Sequence, residues 1–466
     1  MVVKAIDFMP QILGDFIKEP RLILIAGHPG SGKTTLAMTM CLHAMNAGER
    51  CFYISFQEDR ERLFKQLAGV GIELKPYEDK GLLKLIKLPL VVSEGAIQEL
   101  VEGISRDVMG FSPRLIVIDS IAPLLISIKD DAKARGLLQN FFWELHRLIN
   151  GSVVLLAEVP LGRELAELGW AEFVVDAIVV LKYRTYKGLV ERVMEVKKVR
   201  GRELNVAELP FSIQENVGIV FHRPMKLSEI KSSKKRRLLA VGPQGPYLKE
   251  STGPSIVTLI EYPPELTLSL PLLYSILLHM ASSNYGKLLI IEYWSPEDRI
   301  KDFMMDSLKL YGADEEVIKR ILDNIVIRPL NPTAYSSPEL FSRILDIVND
   351  VKPMAVIFHD VALPTKVAVD VSYYASLVYN LLLYLKSIGI DVVRLCSRVD
   401  SFTDLYKVMS DHVVSIRCKD SICDDYVVYD YIEGKIVRRS WTELEEEVKT
   451  LIGYLKNQIP TAAQVK

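Results

Sequence analysis

Gly27-His28-Pro29-Gly30-Ser31-Gly32-Lys33-Thr34 satisfies the pattern G-x-x-x-x-G-K-[ST], and Thr35 follows it. Glycines at these positions let backbone N–H groups curl around a phosphate, and a helix opening at the loop's end adds its partial positive charge. Lys33 is then placed to reach the terminal phosphates, and the Thr34 hydroxyl to ligate Mg²⁺. The chemistry is that of a nucleotide's phosphates with Mg²⁺. Two carboxylates extend it. Asp119 ends the apolar run RLIVID, and a carboxylate at the carboxyl end of a buried parallel strand faces the ligand crevice, where it can hold Mg²⁺ through water. Glu58 follows CFYISFQ. There a carboxylate can orient or deprotonate a water beside the γ-phosphate.

These residues need strands to carry them. From Leu22 onward, short apolar runs (LILIAG, CFYISF, LLKLIKL, RLIVID, VVLLAE, AIVVL) alternate with helical periods such as RERLFKQLAGV and ARGLLQNFFWELHRLI. That alternation predicts an α/β domain, a mostly parallel twisted sheet flanked by helices. VERVMEVKKVRG and GIVFHRP read as antiparallel strands at its far edge. The stretch KLSEIKSSKKRRLLAVGPQGPY changes composition and reads as a linker, with Lys234-Lys235-Arg236-Arg237 as a solvated basic run. The order then repeats: IVTLIEY, LLIIEYWSPEDRIKDFM, NIVIRPL, MAVIFHD and MSDHVVSIR follow one another as LILIAG, CFYISFQEDRERLFKQL, LLKLIKL, RLIVIDS and FVVDAIVVL do. Five matches in one order predict a tandem duplication. The expected boundaries are 1–228 for an ATP-binding domain, 229–250 for the linker, 251–440 for a degenerate copy, and 441–466 for a closing helix (WTELEEEVKTLIGYLK) and tail.

Bulk properties exclude several classes. Lys plus Arg number 57 against 59 for Asp plus Glu, a formal net charge of -2, without the basic excess of a protein that lives on nucleic acid. No apolar run is long enough to span a bilayer, and the amino terminus lacks a signal layout, so a cytoplasmic protein is expected. The five cysteines (41, 51, 396, 418, 423) fit no familiar zinc spacing and read as free thiols.

A phosphate loop of this kind, acidic residues after the next strand, and an Asp in FVVDAIVVL with KVRG beyond it resemble the RecA-like ATPases, most closely the KaiC group of clock ATPases and their archaeal relatives. The resemblance covers residues 1–225 by specific motifs and 250–440 as a faded copy. It implies an ATPase that assembles as a homo-oligomer, a hexameric ring, and relays nucleotide state to an unidentified protein partner. It also implies that Lys198 and Arg200 in KVRG reach the γ-phosphate held by a neighbouring subunit, so that activity depends on assembly. That family carries two glutamates where this chain has Gln57 and Glu58. An amide positions a water but cannot take its proton, and losing a general base commonly slows a reaction by about 10²–10⁴-fold. Slow hydrolysis is therefore expected, with Gln57 and Glu58 both in the catalytic set. The clock protein's phosphorylated Ser-Thr pair corresponds to Glu172 and Phe173 here, which predicts no self-phosphorylation of that type.

The second copy reads IEYPPELTLSLPLL where the loop should be. It lacks glycine and Lys-Thr, the adjacent Pro263 and Pro264 remove backbone donors, and Glu265 would repel phosphate. His359-Asp360 falls at the Mg²⁺ position, and no KVRG counterpart follows MSDHVVSIR. A structural or partner-binding module is expected there. Two other functions compete with the switch or scaffold reading. A RecA/RadA-like DNA-handling ATPase wants basic, aromatic loops, whereas VPLGRELAELGWAE offers one Arg against three glutamates; Arg184 and Lys187 in KYRTYKG count in its favour. The other is a non-hydrolysing nucleotide-binding scaffold for membrane-associated machinery.

Overall fold

A computed structural model of the chain describes residues 2–458, apart from 89–93, 122–135, 137, 160–173, 187–188, 202–207, 223–235, 243–244, 252–254, 265, 267–270, 284, 369, 398–401 and 420–421. The chain divides into two compact units, Val2–Arg223 and Pro224–Lys466.

The first unit is built on β1 (Val2–Lys4), β2 (Leu22–Gly27), β3 (Cys51–Ser55), β4 (Leu83–Lys87), β5 (Leu115–Asp119), β6 (Ser152–Glu158), β7 (Ala177–Tyr186), β8 (Leu189–Val199), β9 (Glu208–Gln214) and β10 (Gly218–His222). They form one sheet in the order β1-β10-β9-β8-β7-β2-β6-β5-β3-β4. From β7 to β4 every neighbour is parallel. From β7 to β1 every neighbour is antiparallel. All six residues of β2 are buried, as expected of a strand covered on both faces. On one face Leu24, Phe52, Ile118 and Leu155 pack against Ile104 and Val108 of the helix Glu94–Phe111 and Leu145 of the helix Trp143–Leu148. The long helix expected from ARGLLQNFFWELHRLI is described only over its last part, where a π-helical turn at Leu138–Phe142 runs into the helix Trp143–Leu148.

The second unit holds the hairpin β11 (Arg236–Gly242) and β12 (Gly245–Ser251), then β13 (Val257–Tyr262), β14 (Leu288–Glu292), β15 (Ile325–Pro329), β16 (Ala355–His359), β17 (Asp391–Ser397), β18 (His412–Lys419), β19 (Ile422–Asp430) and β20 (Lys435–Ser440). Its sheet runs β15-β14-β16-β17-β13-β18-β19-β20. Read from the β4 edge, the first sheet runs β4-β3-β5-β6-β2-β7-β8-β9. The order is the same, strand for strand. The closing helix, Trp441–Gln458, buries Leu444, Val448, Ile452 and Leu455 in the second unit's core. Among the described residues no helix is long and apolar enough to cross a membrane.

Two expectations need correction. Most of the segment read as linker is not irregular: Arg236–Gly242 pairs with Gly245–Ser251 in antiparallel register. Gly242 and Gly245 flank a two-residue connection of hairpin length, and Pro and Gly clustered there made the strands read as loop. The cysteines also differ. Cys41, in the helix Lys33–Asn46, is disulfide-bonded to Cys51 at the start of β3, and Cys418 to Cys423 across the β18–β19 pair. Cys396 is buried and belongs to neither disulfide. Five-residue spacing that fits no metal site suits two residues facing each other over a hairpin.

Candidate nucleotide site

The crevice lies at the carboxyl ends of β2, β5 and β3. Gly27 is the last residue of β2, and an added Cβ there would lie 2.4 Å from the Leu181 carbonyl oxygen of β7. Gly32 has φ +101°, a backbone conformation that side chains resist. It precedes the helix Lys33–Asn46, whose amino end has no side-chain cap, so its first N–H groups remain available to an anion. The Ser31 hydroxyl is buried within the loop and meets no hydrogen-bond partner among the described residues. Lys33 is buried, and its Nζ donates to the carbonyls of Gly27 (2.9 Å) and His28 (3.0 Å). Burial lowers the Lys33 pKa, while Glu158 and Asp119 pull it back. The His28 ring is tied to the end of β6, with Nδ1 2.9 Å from the Val159 carbonyl.

Asp119 collects two hydroxyls on one oxygen. Thr34 Oγ1 donates to Asp119 Oδ2 at 2.8 Å and the Tyr53 hydroxyl at 2.6 Å. Burial, reinforced by Asp119, holds the Tyr53 hydroxyl well above its ordinary pKa, so it stays a donor. Thr34 and Asp119, expected to serve a Mg²⁺ ion, are thus brought into direct contact. The curled loop, uncapped helix end and paired Thr34 and Asp119 fit an Mg²⁺-bound triphosphate. Magnesium, when bound, would neutralise phosphate charge. Glu58 and Gln57 lie just beyond β3. The Glu58 N–H donates to Ser55 Oγ (3.0 Å), and its carboxylate is 3.8 Å from Arg62 Nε. With its amide oriented to satisfy both ends, Gln66 donates to Glu58 Oε2 at 3.0 Å. Gln57 is exposed. Tyr53, Glu158 and Val159 were missed by the motif reading. Glu158 pairs in register with Gly27, so strand-end position was the signal that could have found it.

Lys198 and Arg200 are not brought to this crevice. Asp176 N–H donates to the Leu22 carbonyl, Asp176 Oδ2 accepts from Leu22 N–H at 2.9 Å, and Arg200 N–H donates to the Asp176 carbonyl at 2.8 Å. Arg200 Nη1 lies 3.4 Å from Asp176 Oδ1. Leu22 opens β2 and Gly27 closes it; five residues at about 3.3 Å each separate them by roughly 17 Å. Arg200 therefore sits at the opposite end of the sheet from its own chain's loop. Lys198 pairs with Ile178, which is level with Leu24. Glu172, Phe173 and all but the first residue of VPLGRELAELGWAE lie outside the described residues, as do Lys187, the Arg184 side chain and Glu265.

In the second unit the corresponding crevice is filled by its own side chains. Pro263 and Pro264 follow β13 in the place of the loop. Glu292 and His359 pair in register, as Ser55 and Asp119 do in the first unit, so His359 holds the Asp119 position. Glu292 is fully buried; it accepts from His359 Nδ1 (2.6 Å) and from the N–H groups of Trp294 and Ser295, while His359 Nε2 lies 3.1 Å from the Tyr262 hydroxyl. Asp360, the carboxylate expected near the metal position, accepts from Ala362 and Ser397 N–H instead. The Asp176 clamp does recur: Val257 N–H donates to Asp411 Oδ2 at 2.8 Å, and Tyr431 N–H donates to the Asp411 carbonyl. Tyr431 thus stands where Arg200 stood, and no cation is delivered from that position.

A parallel sheet with this strand order, carrying a phosphate loop after its central strand and an aspartate two strands away, defines a P-loop domain of the RecA-like class. A family model described as "ATPase: KaiC" matches residues 2–226. Over 207 residues, 43% of this chain, the sequence is 27% identical to "Circadian clock protein KaiC3" of Synechocystis sp., covering 41% of that protein. A UPF0273 protein of Pyrococcus horikoshii is 25% identical over 236 residues, 47% of this chain and 93% of its own length. One from Thermotoga maritima is 27% identical over 242 residues, 95% of its length. The chain spans about two fifths of the clock proteins it matches and nearly all of the UPF0273 proteins. The amino-terminal unit is thus similar, over nearly all its length, to the KaiC-like ATPase domains of the RecA superfamily.

Proposed function

We propose that the chain is a slow, Mg²⁺-dependent ATPase that works as an oligomeric, nucleotide-dependent switch or scaffold for a protein partner. ATP binds at residues 27–35, with Thr34 and Asp119 at the metal. Glu58 serves as base or water-orienting group, and Gln57 holds a water without taking its proton. Lys198 and Arg200 complete the site of a neighbouring subunit in a ring. The second unit has exchanged nucleotide chemistry for a structural or partner-binding role. One observation carries the shared-site reading: the phosphate loop and Arg200 stand at opposite ends of β2. A finger there serves another chain's nucleotide and cannot serve its own.

The direct test is stoichiometry with turnover. One ATP analogue should bind per chain, binding should disappear in Lys33→Ala, and hydrolysis should be slow. Two nucleotides per chain, or binding that survives Lys33→Ala, would sink this reading.

A further inference from the structure

The central strand β17 carries an arginine in the middle of the second unit's core. Arg394 is 2% exposed. Its Nη2 donates to the Tyr406 carbonyl (2.6 Å), Ser410 Oγ (2.6 Å) and, more weakly, the Met409 carbonyl (3.2 Å). Its Nε and Nη1 are buried and meet no acceptor among the described residues. No described carboxylate pairs with it. Asp411 is held by Lys386 Nζ at 2.8 and 2.9 Å and accepts from Val257 N–H. Burial lowers the guanidinium pKa only to about 10, so the group stays cationic at neutral pH.

The fold does not demand this charge. Leu22 pairs with Val153 as Val257 pairs with Val392, so Leu155 occupies the Arg394 position in the first unit, fully buried. Arg394 lines a cavity of about 30 Å³ with Tyr293, Phe358, Thr365, Tyr374, Leu381 and Tyr406. That is room for about two water-sized groups. Two of the lining hydroxyls are already engaged, Tyr406 with Thr365 Oγ1 and Thr365 with the Val361 carbonyl. Water could satisfy the spare N–H groups but would leave the charge uncompensated, which is the costly part of burying an ion.

We propose that this cavity is an anion site, in which the Nε–H and Nη1–H groups of Arg394 hold one small monovalent anion of chloride size. Its aromatic and aliphatic walls select by size, since phosphate, sulfate or a nucleotide is too large. An anion that binds only the folded state stabilises it by mass action, so the second unit's stability is coupled to halide concentration. The site is remote in sequence from residues 27–35 and stands independently of the nucleotide reading.

The test uses the full chain. Thermal unfolding is followed at fixed ionic strength while sodium gluconate is replaced by sodium chloride or bromide. The wild type should gain a few degrees in Tm with either halide, and Arg394→Leu should gain none. Crystals grown in bromide supply a reading that does not depend on the variant folding: an anomalous peak is expected within hydrogen-bonding reach of Nε and Nη1. Two ordered waters there, a carboxylate of the chain itself, or a Tm indifferent to halide would overturn the proposal.

Discussion

Replacing Asp176 by alanine should loosen the strand that carries the phosphate loop. Leu22 is fully buried and its N–H has Asp176 Oδ2 as acceptor at 2.9 Å. An orphaned buried donor costs about 1–3 kcal/mol. The ion pair with Arg200 adds little, because the Arg200 side chain is 47% exposed and such pairs are worth about 0–1 kcal/mol. Asp176→Ala should therefore cost about 2–3 kcal/mol. Asp176→Asn keeps an acceptor oxygen and loses only the charge, so about 1 kcal/mol or less is expected. Urea unfolding gives the magnitudes, and hydrogen exchange at the Leu22 amide gives the location. Equal destabilisation by Asn and Ala would show that the charge matters rather than the bond to Leu22. Unchanged exchange at Leu22 in Asp176→Ala would refute the clamp outright. Asp411→Ala is the control in the second unit and should orphan Val257 N–H in the same way.

Other outcomes follow from the same geometry. Gln57→Glu should raise ATP turnover by restoring a second carboxylate, and Glu58→Gln should lower it about 10²–10⁴-fold; no change in Glu58→Gln removes that strand end from catalysis. His222 in β10 is pushed by burial, helped by the nearby amino terminus, down to about 3. Between that value and its ordinary 6.5 the unfolded chain binds the extra proton. Stability of the first unit should thus be fully present above pH 6.5 and fall as the pH drops, by up to about 1.4 kcal/mol per pH unit. His222→Gln should flatten that acid limb in a denaturation series; an unchanged slope would place the proton elsewhere.

Much of this was legible in the sequence because the signals are periodic or chemical. Continuous apolar runs such as LILIAG, and the Leu115–Ile118 part of RLIVID, are buried as expected of central parallel strands, and the phosphate loop needs its glycines wherever it occurs. Repetition exposed the second sheet despite its lost motif. DVVRLCS escaped the match because Arg394 interrupts an otherwise apolar strand. The β11–β12 hairpin escaped because Gly242, Pro243 and Gly245 punctuate it. Tyr53 and Glu158 were invisible for a different reason: only strand register puts Tyr53 against Asp119 and Glu158 beside Gly27. The Glu292–His359–Tyr262 network could not be read from spacing, since its members lie 67 and 97 residues apart.

The shared nucleotide site is tested most directly by mixing two inactive proteins. Lys33→Ala chains keep Arg200 but cannot hold ATP productively, and Arg200→Ala chains hold ATP but offer no finger. Each alone should be nearly inactive, since a missing arginine finger costs roughly 10³–10⁵ in rate. After exchange, an Arg200→Ala loop meets an intact finger from a Lys33→Ala neighbour, and part of the ATPase activity should return. Flat activity in subunits shown to exchange, or full activity of Arg200→Ala alone, would contradict the account.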